Sequence, residues 1–243
     1  YIDGTAINVA LPALQDKLDA TLTQVQWVVE SYSLFLAALI LVGGALGDRY
    51  GRKLVYGTGI ALFAAASIIC GLSQSVHQLI AFRALQGVGG ALLIPGSLAI
   101  ITACFGPGER GRAIGTWSAF SAITTAVGPV LGGWLIEHVS WRWIFFINVP
   151  IAAVVLAVLA ARVPESRGGA HDKEIDFTGA ALATLGLGGI VFGLIESANL
   201  GFKSPVVAGS LALGVLLLAA FVRIEKKSHT PMIPLSLFAS RTF

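Results

Sequence analysis

Long apolar segments with almost no charge are the feature that most constrains this chain. A helix that spans a bilayer needs about 20 consecutive, mostly apolar residues. Six segments meet or approach this length: 27–47, 54–72, 79–105, 113–136, 143–161 and 177–196. Two others are shorter: 206–222 carries no charge, and 1–12 looks like the outer half of another span. The pattern predicts an all-α polytopic membrane protein with eight spans, the first of them incomplete.

The charged fraction of the chain supports this class. Charged residues make up 12% of the 243 residues, whereas a soluble domain carries roughly 25%. So few charges cannot coat a water-soluble protein of this size, which excludes a secreted, cytosolic or nucleic-acid-binding globule. The first residues already lie in an apolar run, and the last stop where another could begin. We therefore expect the chain to be part of a longer protein.

The positions of the basic residues predict how the spans are oriented. Twelve of the 16 Lys and Arg residues lie in four alternate connections: 48–53, 106–112, 162–176 and 223–243. Membrane proteins concentrate Lys and Arg in their cytoplasmic connections. We therefore expect these four connections to be cytoplasmic and residues 13–26 to face outward from the cell membrane. The net charge of +3 then reports topology, and no nucleic-acid partner is expected.

A short charged turn connects the second and third spans. Its glycines allow a tight reversal of the chain, and its acidic and basic residues can cap helix ends or pair with a neighbouring helix. The residues of interest are Gly44, Asp48, Arg49, Gly51, Arg52 and Lys53. From the residues alone, the turn either makes such contacts or merely fixes the topology.

Arg83 lies inside the fourth span. An arginine within a membrane is energetically costly and is usually a functional residue with a partner. At about 100° per residue, the residues that share its helix face are Gln86, Gly87, Gly90 and Ser97. A polar face of small residues is expected to point into the protein. The alternative is that Arg83 extends to the outer interface of the membrane.

Asp3 is a candidate partner for Arg83. It precedes Pro12, the expected outer end of the first span, and would lie about 13 Å deep at the usual helical rise. The protonation of a carboxylate at this depth can respond to hydration or to a second ligand. The alternative is that Asp3 lies in a loop. Glu30, just inside the outer end of the second span, is a further candidate for binding a cation or proton, or it simply reaches the headgroups.

The fifth span contains a group of glycines around a proline: Gly128, Pro129, Gly132 and Gly133. Gly128 and Gly132 form a GxxxG pattern, which allows two helices to approach closely. Pro129 loosens the local hydrogen bonding and permits a bend. The same pattern is also consistent with a static packing seam.

The sequence contains no pattern for a cofactor or for catalysis. No Cys and His residues have the spacing of metal ligands, and no span carries the His and acid clusters that intramembrane hydrolysis needs. The glycines at 87–90 follow no strand, so they are not a nucleotide fingerprint. Cys70 and Cys104 are expected near opposite ends of their spans, beyond disulfide reach. We expect no enzymatic activity and no cofactor.

Together, these motifs resemble the major facilitator superfamily of secondary transporters, and most of all its fourteen-span multidrug:proton antiporter branch. The first-span signature of that branch is similar to Asp3, Thr5, Asn8, Ala10, Leu11 and Pro12. The superfamily's loop motif is similar to the six residues of the charged turn. Its fourth-span motif is similar to Arg83, Gln86, Gly87 and Gly89, and its exporter motif to the four fifth-span residues. The run 141–150 is also typical of the branch, whereas Ala119 stands where the exporter motif often has glycine.

The resemblance implies a domain organisation. Residues 1–161 would form an N-terminal six-helix bundle, and 162–176 a cytoplasmic loop. Residues 177–222 would supply two additional spans. Residues 223–243 would be a second cytoplasmic loop that leads to a missing C-terminal half.

The resemblance also implies a function: a proton-coupled exporter of amphipathic small molecules that works by alternating access. Asp3 and Arg83, with Glu30, would couple transport to protons. The charged turn would lock the cytoplasmic side, and the fifth-span glycines would support rocking. The expected partners are a lipophilic or cationic substrate, protons and membrane lipids, with the proton gradient as energy source. A periplasmic partner stays open, as do two alternatives: a transporter of one metabolite, and a non-transporting sensor or assembly subunit.

Overall fold

The computed structural model describes residues 2–168 and 176–227. This part of the chain forms nine helices: α1 (Ile2–Lys17), α2 (Leu22–Tyr50), α3 (Arg52–Leu72), α4 (Val76–Cys104), α5 (Pro107–His138), α6 (Trp143–Phe146), α7 (Asn148–Arg162), α8 (Phe177–Leu200) and α9 (Pro205–Lys227). With α6 and α7 taken together, seven helices of the described residues are long and apolar enough to cross a membrane. The predicted all-α membrane architecture is confirmed.

Polar side chains mark where two of the long helices begin. At the start of α2, Thr21 Oγ1 accepts a hydrogen bond from the Gln24 amide at 3.3 Å, and Gln24 Oε1 accepts one from the Thr21 amide at 2.9 Å. At the start of α8, Asp176 Oδ1 accepts from the Gly179 amide at 2.7 Å. These caps satisfy amide donors that have no partner inside the helix.

The helices α2, α5, α8 and α9 extend beyond the predicted spans at one or both ends, and the first and sixth predicted spans differ near a proline. The sequence places the outer end of the first span at Pro12, but α1 continues to Lys17. Leu14 beyond the proline is fully buried, so packing carries the helix further despite the hydrogen bond that Pro12 removes. The predicted span 143–161 is interrupted between α6 and α7, because Pro150 offers no amide to the carbonyl one turn earlier.

The helices pack around α4, which lies along α2 and α3, while α5 lies along α1. In lipid, helices associate through close van der Waals contact, and the glycines of α4 permit it. A Cβ at Gly89 would lie 2.8 Å from the Phe63 backbone nitrogen, and one at Gly87 would lie 2.5 Å from the Tyr32 carbonyl oxygen. The polar face of α4 is therefore held inside the bundle.

Helices α8 and α9 form a hairpin that packs against α2. The Trp27 indole on α2 donates to Glu196 Oε1 on α8 at 3.2 Å, and its ring lies 6.0 Å from that of Phe192. A Cβ at Gly189 would lie 3.2 Å from Gly214 Cα, so the two helices of the hairpin touch through glycine backbone.

Candidate functional site

Five polar side chains meet in the interior of the bundle, and we name this group the Asp3 cluster. Its members are Asp3 on α1, Ser67 on α3, Arg83 and Gln86 on α4, and Asn148 at the start of α7. Arg83, Gln86 and Ser67 are fully buried, and Asp3 and Asn148 are 5% and 9% exposed. A buried charge is tolerated only when it is paired and hydrogen-bonded, so the contacts within the cluster decide its chemistry.

The carboxylate of Asp3 accepts hydrogen bonds on both oxygens. Oδ2 lies 2.6 Å from Arg83 Nη1, which forms a buried ion pair. Oδ1 accepts from Gln86 Nε2 and from Asn148 Nδ2, each at 3.0 Å. The predicted contact between Asp3 and Arg83 is present, and the two alternatives, a loop position for Asp3 and an interfacial Arg83, are wrong.

Arg83 is also anchored to α2. Its Nε donates to the Val28 carbonyl at 3.1 Å, and its guanidinium lies 4.4 Å from the centre of the Tyr32 ring. Within α4, Nη1 donates to Gln86 Oε1 at 2.8 Å. The guanidinium therefore keeps partners on α2 and α4 that do not depend on the charge of Asp3.

Ser67 joins four elements at one oxygen. Its hydroxyl accepts from Gln86 Nε2 at 3.2 Å and from Asn148 Nδ2 at 2.9 Å, and it donates to the Phe145 carbonyl at 2.9 Å. Residues of α3, α4, α6 and α7 are thus tied together beside Asp3. Gln86 and Asn148 each donate both to this hydroxyl and to Asp3 Oδ1, so they connect the two groups.

Sequence reasoning missed two members of the cluster. Asn148 stands in an apolar span, where an amide needs a partner, so its polarity was a usable signal. Ser67 carries a single hydroxyl, which any helix can satisfy through its own carbonyls, so no sequence signal singles it out.

The fifth-span motif packs α5 onto α1 close to the Asp3 cluster. A Cβ at Gly128 would overlap Thr5 Oγ1 and lie 3.1 Å from the Ile2 carbonyl oxygen, and one at Gly132 would lie 3.0 Å from Ala6 Cβ. Gly133 faces only Val9, at 3.7 Å. Pro129 is exposed. Of the four predicted residues, Gly128 and Gly132 therefore form the seam.

The residues 48–53, which we name the basic turn, lie at the opposite end of α2 from Thr21, outside the Asp3 cluster. Arg52 Nη2 and Nε donate to Asp48 Oδ1 at 2.8 and 3.0 Å, and Arg52 Nη1 donates to the Ala99 carbonyl at 3.4 Å. Arg49 stacks on its neighbour Tyr50 with 5.6 Å between guanidinium and ring centre. The turn thus joins α2 and α3 to α4.

Two predicted residues lie at the edges of these sites. Gly44 precedes the basic turn on α2, and a Cβ there would lie 3.6 Å from Pro95 Cβ. Glu30 is half-buried in a cleft of about 520 Å³ between α1, α2 and α8, with Asn8 and Gln26 among its lining residues. Glu30 is thus not a member of the Asp3 cluster.

Comparison with known proteins adds the family. The model of the Major Facilitator Superfamily matches residues 1–222. The chain is 38% identical over 239 residues to a tetracenomycin C resistance and export protein of Streptomyces glaucescens, and covers 44% of it. It is 39% identical to a puromycin resistance protein of Streptomyces alboniger, covering 48% of it, and 37% identical to a multidrug resistance protein of Mycobacterium tuberculosis, covering 45% of it. These matches take in 98%, 99% and 100% of this chain.

Solved structures show the same fold. A bacterial homologue of the human lysosomal transporter Spinster, in an inward-facing and occupied conformation, matches with a TM-score of 0.56 and 22% identity over 96% of this chain and 60% of that one. A POT-family peptide transporter matches with a TM-score of 0.58 and 17% identity, over 91% of this chain and 49% of that one. The chain spans about half the length of the curated relatives it matches. It belongs to the Major Facilitator Superfamily and is a multi-pass membrane protein.

Proposed function

We propose that the protein of which this chain forms part is a proton-coupled exporter of amphipathic small molecules. The observation that carries the proposal is the buried Asp3–Arg83 ion pair, at 2.6 Å within a cluster of amide donors. Support for export comes from relatives named as resistance and export proteins. The compounds in those names apply only to the relatives. For this protein we propose only a substrate class, lipophilic or cationic small molecules.

The chemistry of the cluster suggests how a proton acts. All three partners of Asp3 are donors, from Arg83, Gln86 and Asn148, and this suits an ionised carboxylate, which only accepts. Protonation removes the charge from the ion pair and turns one carboxyl oxygen into a donor. Arg83 retains its contacts on α2, so we propose that α1, with Asp3, is the element that moves, together with α5.

The basic turn and Glu30 have separate proposed roles. Through Asp48 and Arg52 the basic turn would hold α2, α3 and α4 together at the predicted cytoplasmic end and serve as the gate. Glu30 would supply a second protonatable group in the cleft beside α8. The energy source would be the proton gradient, with no cofactor. We also propose that residues 1–161 form a six-helix bundle in the complete protein. Residues 177–222 would supply two additional spans.

The proposal is tested with the complete protein in vesicles, where proton flux is measured against a panel of lipophilic cations. Asp3→Asn should abolish proton-driven export while the protein is expressed and still binds substrate, because asparagine cannot exchange a proton. Glu30→Gln should lower export without abolishing it. The control is Asp16→Asn, since Asp16 is exposed and pairs only with its neighbour Lys17 among the described residues.

Three outcomes would contradict the proposal. Unchanged export by Asp3→Asn would remove proton coupling from this residue. If only one solute of the panel is transported, a transporter of a specific metabolite is favoured. If no solute is transported, a non-transporting protein is favoured.

A further inference from the structure

Residues 163–168, which we name the strap, follow α7 and lie over the basic turn. The Arg52 amide donates to the Ser166 carbonyl at 2.8 Å, and the Gly168 amide donates to the Asp48 carbonyl at 3.1 Å. These two backbone hydrogen bonds attach the strap to both residues of the Asp48–Arg52 ion pair. The strap is therefore a structural part of the turn, although more than a hundred residues separate them in sequence.

Glu165 in the strap caps the first turn of α3. The N-cap residue of α3 is Gly51, which has no side chain to accept a hydrogen bond. Glu165 takes its place: Oε1 accepts from the Lys53 amide at 2.9 Å, and Oε2 accepts from the Leu54 amide at 3.1 Å. A carboxylate at a helix N-terminus satisfies unpaired amides and interacts favourably with the helix dipole.

Gly51 leaves room for this carboxylate. Its φ of +123° lies in a region that side chains rarely adopt, and a Cβ there would lie 2.7 Å from the Glu165 carboxyl carbon. The glycine thus serves the cap as well as the reversal of the chain.

We propose that Glu165 is a positioning residue of the gate. By capping α3 beside Arg52, it holds the Arg52 backbone where its side chain meets Asp48 and the Ala99 carbonyl. The inference rests on the proposed function, because the gating role of the basic turn does. It extends the gate beyond the turn to the segment that leads from α7 towards α8.

The first readout is hydrogen exchange at the Lys53 and Leu54 amides in the complete protein. Glu165→Ala removes both acceptors and should speed exchange at these amides about tenfold, the usual worth of a cap. Glu165→Gln keeps the size and removes the charge, and should give a smaller increase. The control is Glu109→Gln, since Glu109 is also exposed in the first turn of a helix, α5, and should leave α3 unchanged.

The second readout is opening of the gate, measured as the rate of maleimide labelling of Ala99→Cys in a Cys104→Ala background. Ala99 is half-buried, and its carbonyl accepts a hydrogen bond from Arg52. Both Glu165 variants should label several-fold faster than their parent, and Glu109→Gln should not. With substrate, the Glu165 variants should lower turnover and leave KM unchanged.

Two results would overturn the inference. Unchanged exchange at Lys53 and Leu54 would show that the cap is absent in the complete protein. Faster exchange with unchanged labelling would show a cap without a role in the gate. Neither readout needs export, so a wild-type protein without proton-driven export would overturn the proposed function and leave the result on Glu165 standing.

Discussion

Asn148 shows most clearly how the surroundings of a side chain determine its role. Asn148 Nδ2 donates both to Asp3 Oδ1 at 3.0 Å and to Ser67 at 2.9 Å. One amide therefore links the first helix of the chain to α3 and to its own helix, α7. Buried amides of this kind are costly to remove, because the groups they leave behind lose a partner in a medium without water.

At this scale we predict that Asn148→Ala destabilises the protein by about 1–3 kcal/mol, since a hydrogen bond to a charged, buried acceptor is lost. Asn148→Asp should be worse, because it places a second carboxylate against Asp3. Thermal unfolding in detergent measures both. Asn8→Ala is the matched control, since Asn8 is exposed and, among the described residues, its amide donates to its own helix at the Gly4 carbonyl, 3.3 Å away. Equal melting temperatures for Asn148→Ala and Asn8→Ala would contradict the prediction.

At the scale of elements, α5 packs mainly on α1. Gly128 and Gly132 are its only buried residues among those the structure describes, and both face α1. The seam is therefore tight enough to hold α5 on α1 beside the Asp3 cluster, which fits the proposal that the two helices move together.

We predict a graded effect of adding one methyl group along this seam. Gly128→Ala and Gly132→Ala should each cost about 1–3 kcal/mol, because their Cβ atoms would overlap Thr5 or press on the Ala6 backbone. Gly133→Ala meets only Val9 at 3.7 Å, and should be neutral or stabilising by up to ~1 kcal/mol through helix propensity. Melting temperatures of the three variants give the order, and a loss at Gly133 equal to that at Gly128 would refute it.

At the scale of the whole molecule, the bundle has two distinct ends. The Asp3 cluster ties α1, α3, α4, α6 and α7 within the bundle, whereas the basic turn and the strap join α2, α3 and α4 at the end where the basic residues gather. Helix α3 contributes to both, through Ser67 in the cluster and Arg52 in the turn. Helix α4 also contributes to both, through Gln86 in the cluster and the Ala99 carbonyl at the turn, so two helices connect the proposed proton site with the proposed gate.

The predicted orientation of the two ends is tested by labelling with a membrane-impermeant maleimide in a Cys104→Ala background. Asp19 and Gly106 are exposed and lie in connections at opposite ends of the bundle. Asp19→Cys should react in intact cells, and Gly106→Cys should react only after the membrane is permeabilised, because basic connections stay in the cytoplasm. The reverse pattern would invert the topology.

Several features of this protein follow from the sequence by itself. The long apolar segments define the membrane helices, because a bilayer requires about 20 apolar residues for each span. The contact between Asp3 and Arg83 is also predictable, because two opposite charges at similar depth in a membrane have few other partners. The charged turn and the glycines of the fifth span stand out for the same reason: each departs from an otherwise apolar background.

The tertiary structure alone decides the rest. Ser67 and Asn148 join the Asp3 cluster because of the angles and registers at which α3, α4 and α7 pack, and no local pattern encodes these. Glu165 resembles an ordinary charged residue of a loop until the fold carries it to the first turn of α3, 112 positions earlier in the chain. Hydrogen bonds act over about 3 Å, so partners distant in sequence are set only by the packed fold.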